Sequence, residues 1–194
     1  MNAPEQTSSP ARGTAPSEVT RDSTMREVLE HYPGAQRALF RRYHIGGCSS
    51  CAFQPEETLG QVCQRNGNLE VAEVLNHIRT SHAQDEQMLI SADRLAELRR
   101  LRPSLRLVDV RSREEFEAVH IEGSVLLSQP VMREILAEGT NTLPLVLIDH
   151  QGRQALDAAA YFQGHGLQNV LCLRGGIDAW AREVDPAMRR YRLG

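Results

Sequence analysis

Two cysteines, Cys48 and Cys51, are the residues whose type and spacing most directly support chemistry. The Cys-x-x-Cys spacing is typical of reversible disulfides and of metal sites. The two cysteines could instead be small buried loop residues with a purely structural role. A pair of cysteines on either side of two serines, in a reducing compartment, favours a chemical role. We therefore predict that Cys48 and Cys51 are catalytic candidates. One thiol would be accessible and the other resolving, and the pair would form a reversible disulfide or carry a persulfide.

A metal site is the alternative for the same pair. His44 and Cys63 would complete the ligand set of Cys48 and Cys51. Three thiolates and one imidazole suit zinc or iron. Against a metal, the chain has one Cys-x-x-Cys pair where the strong zinc signature has two, and Cys63 falls within a predicted helix. We therefore expect no bound metal and no cofactor, with zinc or iron as the alternative.

A second candidate site follows the most apolar segment of the chain, residues 145–148, which predicts a strand buried inside a parallel sheet. In such sheets, ligands bind beyond the carboxyl ends of the strands. The loop residues at that position are Asp149, His150, Gln151, Gly152, Arg153 and Gln154. His150 has the chemistry for proton transfer, although a solvated histidine is the expectation. Cys172 alternates with leucines in a later strand, which predicts a small buried residue.

Short helices are predicted on both sides of the cysteine pair. Thr24 with Glu27, and Thr58 with Gln61, have the spacing of a capping box. Apolar residues at helical spacing follow each box, so the sequence predicts four or five short helices. A bundle of about 60 residues is marginally stable by itself and needs a disulfide, a metal or a neighbouring domain.

Strands and helices alternate from residue 88 onward, after a polar segment at 79–87 that predicts a linker. Repeated βα units predict a mostly parallel sheet flanked by helices, hence an α/β domain preceded by a small all-α domain. The predicted organisation is a disordered tail at 1–21, a helical Cys-x-x-Cys domain at 22–81, an α/β domain at 85–184 and a basic C-terminal tail at 185–194.

Composition and charge exclude several classes of protein. The chain has 194 residues, of which 41% are hydrophobic and 24% charged, as in ordinary globular proteins. A net charge of -3 argues against a nucleic-acid partner. No apolar run approaches the roughly 18 residues of a membrane span, and the Pro- and Ser-rich start lacks the apolar core of a signal peptide. We expect a cytoplasmic protein that binds neither nucleic acid nor membrane.

Two segments of the α/β region resemble the signatures of rhodanese-like domains. Residues 109–124, DVRSREEFEAVHIEGS, carry the family's Asp-x-Arg, Glu-Phe and His-Ile-x-Gly-Ser pattern. Residues 173–180, LRGGIDAW, resemble its closing signature of two glycines followed by a tryptophan. The resemblance covers about residues 85–182 and implies the sulfurtransferase fold.

The resemblance also implies a departure from the active members of that family. Those members carry a persulfide-forming cysteine at the end of the fourth strand, followed by a six-residue loop. Asp149 falls on the cysteine position, and a carboxylate cannot accept a sulfane sulfur as a thiolate does. Ordinary thiosulfate sulfurtransferase activity is therefore not expected. The resemblance implies a pseudoenzyme whose loop binds an anion, through backbone N–H groups and Arg153, or binds a partner.

The helical segment, residues 24–78, resembles the small disulfide domain associated with hybrid-cluster proteins. It is also similar to the N-terminal domain of iron–sulfur cluster repair proteins. The shared pattern includes Tyr32-Pro33, a cysteine pair after a glycine-containing turn, and Thr58-Leu59 at the start of a helix. The repair proteins have adjacent cysteines, so the Cys-x-x-Cys of this chain is closer to the disulfide domain.

These observations together predict a non-catalytic sulfur or redox module. Its helical domain would carry the switchable cysteine pair, and its rhodanese-like loop would recognise an anion or a partner. The expected partners are a sulfane-sulfur donor or a redox partner protein. Two alternatives stay open: a sulfurtransferase or sulfur carrier with Cys48 or Cys51 as its persulfide site, and a metal or iron–sulfur trafficking protein.

Overall fold

The computed structural model of the protein describes residues 18–46, 52–138, 144–152 and 154–191. Three predicted site residues, Cys48, Cys51 and Arg153, lie outside these ranges. The described residues form a helical region followed by a five-stranded parallel sheet with helices on both faces, which confirms the predicted fold class. No helix in the described part of the chain is both long and apolar enough to cross a membrane.

Four helices form the N-terminal region within the described residues. They are α1 (Met25–His31), α2 (Ala35–Tyr43), α3 (Leu59–Arg65) and α4 (Val71–Met88). α1 and α3 begin with the two predicted capping boxes, in which threonine and the residue three positions later each satisfy the other's backbone N–H. Thr24 and Thr58 also form an antiparallel bridge between the two helix starts. The apolar faces share one core around Met25, Leu39 and Leu59.

The helical region begins earlier than predicted. Val19 is 3% exposed and belongs to the core of the helices, although it falls within the predicted tail. Glu18 pairs with Arg79 of α4 at 2.8 Å. Residues 18–21 are therefore part of the helical region, because an apolar side chain and a cross-chain ion pair both attach them to it.

The linker predicted over residues 79–87 is wrong, because α4 continues through this segment to Met88. The segment is polar, yet one of its charges faces inward. Asp85 is buried and pairs with Arg37 of α2. This part of α4 is therefore held by a buried ion pair. It lacks the apolar periodicity from which a helix is usually predicted.

Within the described residues, five short strands form the sheet. In chain order, the elements are β1 (Leu89–Ile90), α5 (Ala92–Leu101), β2 (Arg106–Asp109), α6 (Arg113–Ala118), β3 (Ser124–Leu126), α7 (Gln129–Glu138), β4 (Leu145–Ile148), α8 (Gln154–Gly164), β5 (Val170–Leu173) and α9 (Gly176–Glu183). The strand order is β1-β5-β4-β2-β3, and every pairing is parallel. All carboxyl ends therefore meet at one edge of the sheet, with β4, buried along its whole length, in the centre.

One apolar core covers each face of the sheet. The first joins Val146 of β4 to Trp180 of α9 and to residues of α5. The second joins Leu147 of β4 to Phe162 of α8. Cys172 lies fully buried in the second core, as its alternation with leucines predicted. These two cores fix β4, and with it the start of the loop at its carboxyl end.

The described part of the C-terminal segment packs on the α/β domain, whereas a separate basic tail was predicted at residues 185–194. Within residues 185–191, Arg190 pairs with Asp178 of α9 at 2.9 Å. The hydroxyl of Tyr191 donates to Glu115 of α6 at 2.8 Å. The basic residues are therefore partly used within the domain, and the segment reaches the edge of the sheet that carries the candidate loop.

Candidate functional site

The carboxylate of Asp149 accepts hydrogen bonds from the loop that follows it. β4 ends at Ile148, so Asp149 is the first residue beyond the carboxyl end of the central strand. One carboxylate oxygen accepts from the N–H of Gly152, and the other accepts from Gln154 at 2.6 Å and from Ala155 at 3.2 Å. The last two donors lie in the first turn of α8, where N–H groups lack helical partners. Asp149 therefore places a buried negative charge at the positive end of α8.

Two glycines let this loop approach the start of α9. Gly152 has a φ of +88°, and a β-carbon there would lie 2.9 Å from the backbone nitrogen of Gly175. Gly176 has a φ of +59°, and a β-carbon there would lie 2.5 Å from the carbonyl oxygen of Asp149. The N–H of Ile177 donates to that carbonyl at 2.8 Å. The glycine pair of the closing signature thus holds the loop against α9.

His150 is buried, whereas the sequence suggested a solvated histidine. Its side chain is 7% exposed, and its Nδ1 has no hydrogen-bond partner among the described residues. The ring of Tyr191 lies over the imidazole with 4.6 Å between centroids. The C-terminal segment, rather than solvent, therefore covers His150.

A buried ion pair supports the site from the neighbouring strand. Arg111 and Asp109 have side chains 1% and 0% exposed, and the guanidinium reaches the carboxylate at 2.6 Å. The guanidinium also donates to the hydroxyl of Tyr191 at 2.7 Å and to the carbonyl of Val119 at 2.8 Å. Burial and the hydrogen bond to Glu115 raise the pKa of Tyr191, which keeps its hydroxyl protonated as a donor. Arg111 therefore connects the end of β2 to the C-terminal segment.

A shared arginine joins the helical region to the helix that begins at the loop. Arg37 of α2 pairs with Asp85 of α4 and, at 2.7 Å, with Asp157 of α8. Burial raises the pKa of Asp85, although the charge of Arg37 opposes this shift. Arg37 thus holds α8, whose first turn carries two of the donors to the loop carboxylate, against the helical region.

A cleft separates the helical region from the candidate loop. One cavity, of about 480 Å³, is lined by Gly34 and Gly46 on the helical side and by Gly152 of the loop. Phe40 of α2, 47% exposed, adds an apolar wall. A second cavity, of about 280 Å³, includes Gly34, Gly152 and Arg174. Gly46 is the last described residue before the cysteine pair, so the described chain stops beside the candidate loop.

The two cysteines that the structure describes are both poor nucleophiles. Cys63 of α3 is 1% exposed, and burial raises the pKa of its thiol. Cys172 of β5 is fully buried, and burial together with the charge of Asp149 raises its pKa to about 12. Because the thiolate is the reactive form, neither side chain is activated in the folded protein.

The alternative metal ligands do not form a described cluster. His44 is exposed at the end of α2, where it adopts a left-handed conformation with φ 58°, and Cys63 is buried in the helical core. Cys48 and Cys51 lie outside the described residues. Within the described ranges, no group of three or more histidine, cysteine or acidic side chains is arranged to hold a metal ion.

The predicted residues of the candidate loop lie in different environments. Asp149 is hydrogen-bonded to Gly152 and Gln154, Gln151 lines the smaller cavity of the cleft, and Arg153 lies outside the described residues. The described N–H groups that would receive an external anion face the Asp149 carboxylate. These described N–H groups are therefore already paired with a carboxylate of the chain itself.

Three residues of the site were not among the sequence candidates: Tyr191, Arg37 and Asp85. Tyr191 contacts Arg111 across 80 positions of the chain, and Arg37 contacts Asp85 across 48. Neither helical periodicity nor a local motif reports contacts over such separations. The Asp-x-Arg signature indicated that Arg111 matters to the fold. It did not indicate that Arg111 contacts Tyr191.

Comparison with known proteins identifies the α/β region. The profile of the Rhodanese-like domain family matches residues 91–183. The thiosulfate sulfurtransferase GlpE of Pseudomonas syringae pv. syringae is 36% identical over 74 residues, which cover 38% of this chain and 70% of the relative. The protein of the same name from Pseudomonas aeruginosa is 34% identical over 92 residues, which cover 47% of this chain and 83% of the relative.

A solved structure is similar over a comparable share of the chain. The crystal structure of a rhodanese-like domain protein from Staphylococcus aureus covers 54% of this chain and 98% of that protein, with 20% identity and a TM-score of 0.42. The assignment rests on the family profile and on the two sequence relatives, of which this chain covers more than two thirds. The chain belongs to the rhodanese-like family.

Proposed function

We propose that this protein is a non-catalytic rhodanese-like module in sulfur or redox chemistry. Its rhodanese-like loop recognises a partner protein, and its helical region carries a redox-active or persulfide-carrying pair, Cys48 and Cys51. The partner is a protein that donates sulfane sulfur or exchanges electrons with the pair. Membership of the family and the sulfurtransferase names of its relatives support the sulfur chemistry.

The hydrogen bonding of Asp149 carries the proposal that the loop is non-catalytic. Its carboxylate is 2% exposed and accepts from the N–H groups of Gly152, Gln154 and Ala155. Backbone donors converging at a helix start form a binding site for an anion. Here the loop supplies that anion from its own side chain. The loop therefore keeps a fixed shape that a partner surface can recognise, without a group that accepts sulfur.

Two observations support the assignment of chemistry to the cysteine pair. Cys63 and Cys172 are buried with raised pKa values, so neither described thiol competes with the proposed pair. Gly46, two residues before the pair, lines the same cavity as Gly152 of the loop. A partner bound at the loop would therefore be near the point where the chain enters the Cys-x-x-Cys segment.

The proposed sulfur chemistry balances with a sulfane-sulfur donor such as thiosulfate. Attack of one thiolate on the outer sulfur of thiosulfate forms a persulfide and releases sulfite. Attack of the second thiolate on the inner sulfur of that persulfide forms a disulfide and releases hydrosulfide. A dithiol partner resets the pair by reducing the disulfide and is itself oxidised, so the pair acts as a redox switch and not as a catalyst of sulfur transfer.

The names of the relatives favour a second candidate function, a sulfurtransferase or sulfur carrier with Cys48 or Cys51 as the persulfide site. The two candidates differ in the fate of the outer sulfur of the persulfide. In the second candidate this sulfur passes to an acceptor, whereas in the first it leaves as hydrosulfide. Trafficking of a metal or an iron–sulfur cluster is the third candidate, with His44 and Cys63 as further ligands. The two experiments below separate these candidates.

The full chain with Cys48 and Cys51 replaced by serine is expected to form thiocyanate from thiosulfate and cyanide only at the uncatalysed rate. Asp149 cannot carry the transferred sulfur, and the buried thiols are not activated. Asp149→Cys in the same double-serine background is expected to raise the rate at least about tenfold, because the loop donors then surround a thiolate. Thiocyanate is measured as its iron complex.

Turnover by the double-serine protein at a rate typical of active relatives would contradict the non-catalytic loop. Turnover by the unaltered chain that disappears in Cys48→Ser or Cys51→Ser would establish the sulfurtransferase alternative instead. The variant Asp93→Cys is the matched control, because Asp93 is exposed on α5. Its replacement adds a thiol outside the loop that surrounds position 149 with backbone N–H groups.

Differential alkylation across a glutathione redox series is expected to show that Cys48 and Cys51 change state together. In the folded chain Cys63 and Cys172 should stay unmodified, because burial raises the pKa of both thiols. Because Cys172 is fully buried and its pKa is raised, it is expected to react only after unfolding. Mass spectrometry of the labelled peptides measures all four sites.

Unreactive Cys48 and Cys51 under every condition would contradict the redox and persulfide proposal. If Cys48, Cys51 and Cys63 resist alkylation only when stoichiometric zinc or iron is present, the metal candidate replaces the redox and persulfide proposal. Labelling in denaturant is the control, since all four thiols then react.

A further inference from the structure

A groove with an arginine rim lies at the edge of the sheet opposite the Asp149 loop. Its lining includes Arg99, Arg100, Arg102, Leu105 and Trp180, and we call it the arginine groove. Leu105 immediately precedes β2, so the groove lies at the amino end of a strand, whereas the loop follows the carboxyl end of β4. The cavity measures about 470 Å³, within the range typical of small-molecule sites.

The rim of the arginine groove carries positive charge without a matching carboxylate. No acidic side chain is among the described residues that line it. Arg99 is committed to the protein, because it donates to the carbonyl of Glu122 at 2.6 Å and lies 5.3 Å from the centre of the Trp180 ring. Arg100 and Arg102 are exposed and form no ion pair within the described part of the chain.

The inner wall of the groove is apolar. Leu105 and Trp180 are 8% and 5% exposed, and Leu107, Pro103 and Val184 extend the same surface. The end of α5 accounts for a preference for arginine at position 100, because cations stabilise a helix C-terminus. Arg102 is the C-cap residue of α5, so the same effect applies to it. The helix end does not account for the apolar side chains that line the groove beneath the two guanidinium groups.

We propose that the arginine groove binds a small amphiphilic carboxylate. The apolar body of the ligand packs on Pro103, Val184 and the exposed edge of Trp180. Its carboxylate pairs with Arg100 and Arg102, whose planar forks match carboxylate geometry. This site is separate from the Asp149 loop and from the cysteine pair, so the proposal is independent of the proposed function.

The full chain provides its own reporter for this proposal, because Trp180 is the one tryptophan of the sequence. Octanoate is the probe, titrated at constant ionic strength, with octanamide and inorganic phosphate as comparison ligands. Tryptophan fluorescence is expected to change saturably with octanoate, with no saturable change for octanamide and binding at least about tenfold weaker for phosphate. Calorimetry on the same samples detects binding that leaves the fluorescence unchanged.

The double variant Arg100→Gln/Arg102→Gln is expected to weaken octanoate binding at least about tenfold, because it removes both charge-assisted contacts. Arg94→Gln is the matched control, since Arg94 lies on the same helix, pairs with Glu97 at 2.8 Å and does not line the groove. Thermal unfolding by circular dichroism confirms that each variant is folded. The single variants replace the double variant if it unfolds.

Absence of saturable octanoate binding in both fluorescence and calorimetry would overturn the proposal. Equal binding of octanamide would remove the role of the carboxylate, and equal binding of phosphate would remove the role of the apolar wall. Either result contradicts the amphiphilic ligand. An equal loss of affinity in Arg94→Gln would assign the effect to overall charge, which also contradicts a site at the arginine groove.

Discussion

Replacing Asp149 with alanine is expected to lower the free energy of unfolding by about 3 kcal/mol. The carboxylate is 2% exposed and accepts from three backbone N–H groups, which would lose their acceptor together. A hydrogen bond to a charged group contributes about 1.5–3 kcal/mol, and removal of the buried charge returns part of that loss. Urea unfolding followed by circular dichroism measures the difference.

The same variant is expected to gain affinity for a small anion. Asp149→Ala leaves the N–H groups of Gly152, Gln154 and Ala155 directed at an unfilled space, which is the arrangement of an anion-binding loop. Sulfate at constant ionic strength should therefore raise the melting temperature of the variant more than that of the unaltered chain. A general effect of salt would raise both melting temperatures equally, whereas sulfate bound in the loop would raise that of the variant alone.

Asp93→Ala serves as the control for Asp149→Ala. Asp93 also lies in the first turn of a helix, but its side chain is exposed, so a change below about 0.5 kcal/mol is expected. A loss below about 1 kcal/mol in Asp149→Ala, with no specific effect of sulfate, would contradict the role given to the carboxylate.

Local patterns predicted the helices and strands because their determinants are close together in the sequence. Capping boxes at Thr24 and Thr58 mark the starts of α1 and α3, and an unbroken apolar run marks β4. The extension of α4 could not be predicted in this way. A helix that buries Asp85 through a pair with Arg37 lacks the apolar periodicity on which such a prediction depends.

The candidate site was predictable in position but only partly in its chemistry. The apolar strand and the family resemblance placed Asp149 at the start of the loop. Only the three-dimensional structure shows the N–H groups of Gly152, Gln154 and Ala155 directed at its carboxylate. The burial of His150 was missed for a related reason. Its cover, Tyr191, comes from the C-terminal segment, and nothing in the local sequence of the loop indicates that contact.

Replacing Arg111 with methionine is expected to destabilise the protein by about 3–5 kcal/mol, the cost of leaving one member of a buried ion pair without its partner. Asp109 is 0% exposed and receives the Arg111 guanidinium at 2.6 Å. The substitution also removes a donor from the hydroxyl of Tyr191 and from the carbonyl of Val119. Guanidinium chloride unfolding, with circular dichroism as the signal, gives the free energy.

A double variant distinguishes an unpaired charge from lost packing. Asp109→Leu/Arg111→Met removes both charges and is expected to recover at least half of the stability lost in Arg111→Met. Arg113→Met is the matched control two residues away, because Arg113 is 70% exposed and 3.7 Å from Glu117, so a change below about 0.5 kcal/mol is expected. If the double variant is as unstable as Arg111→Met, the contacts of Arg111 with Tyr191 and Val119 dominate. The stability of the site would then depend on the attachment of the C-terminal segment more than on the ion pair.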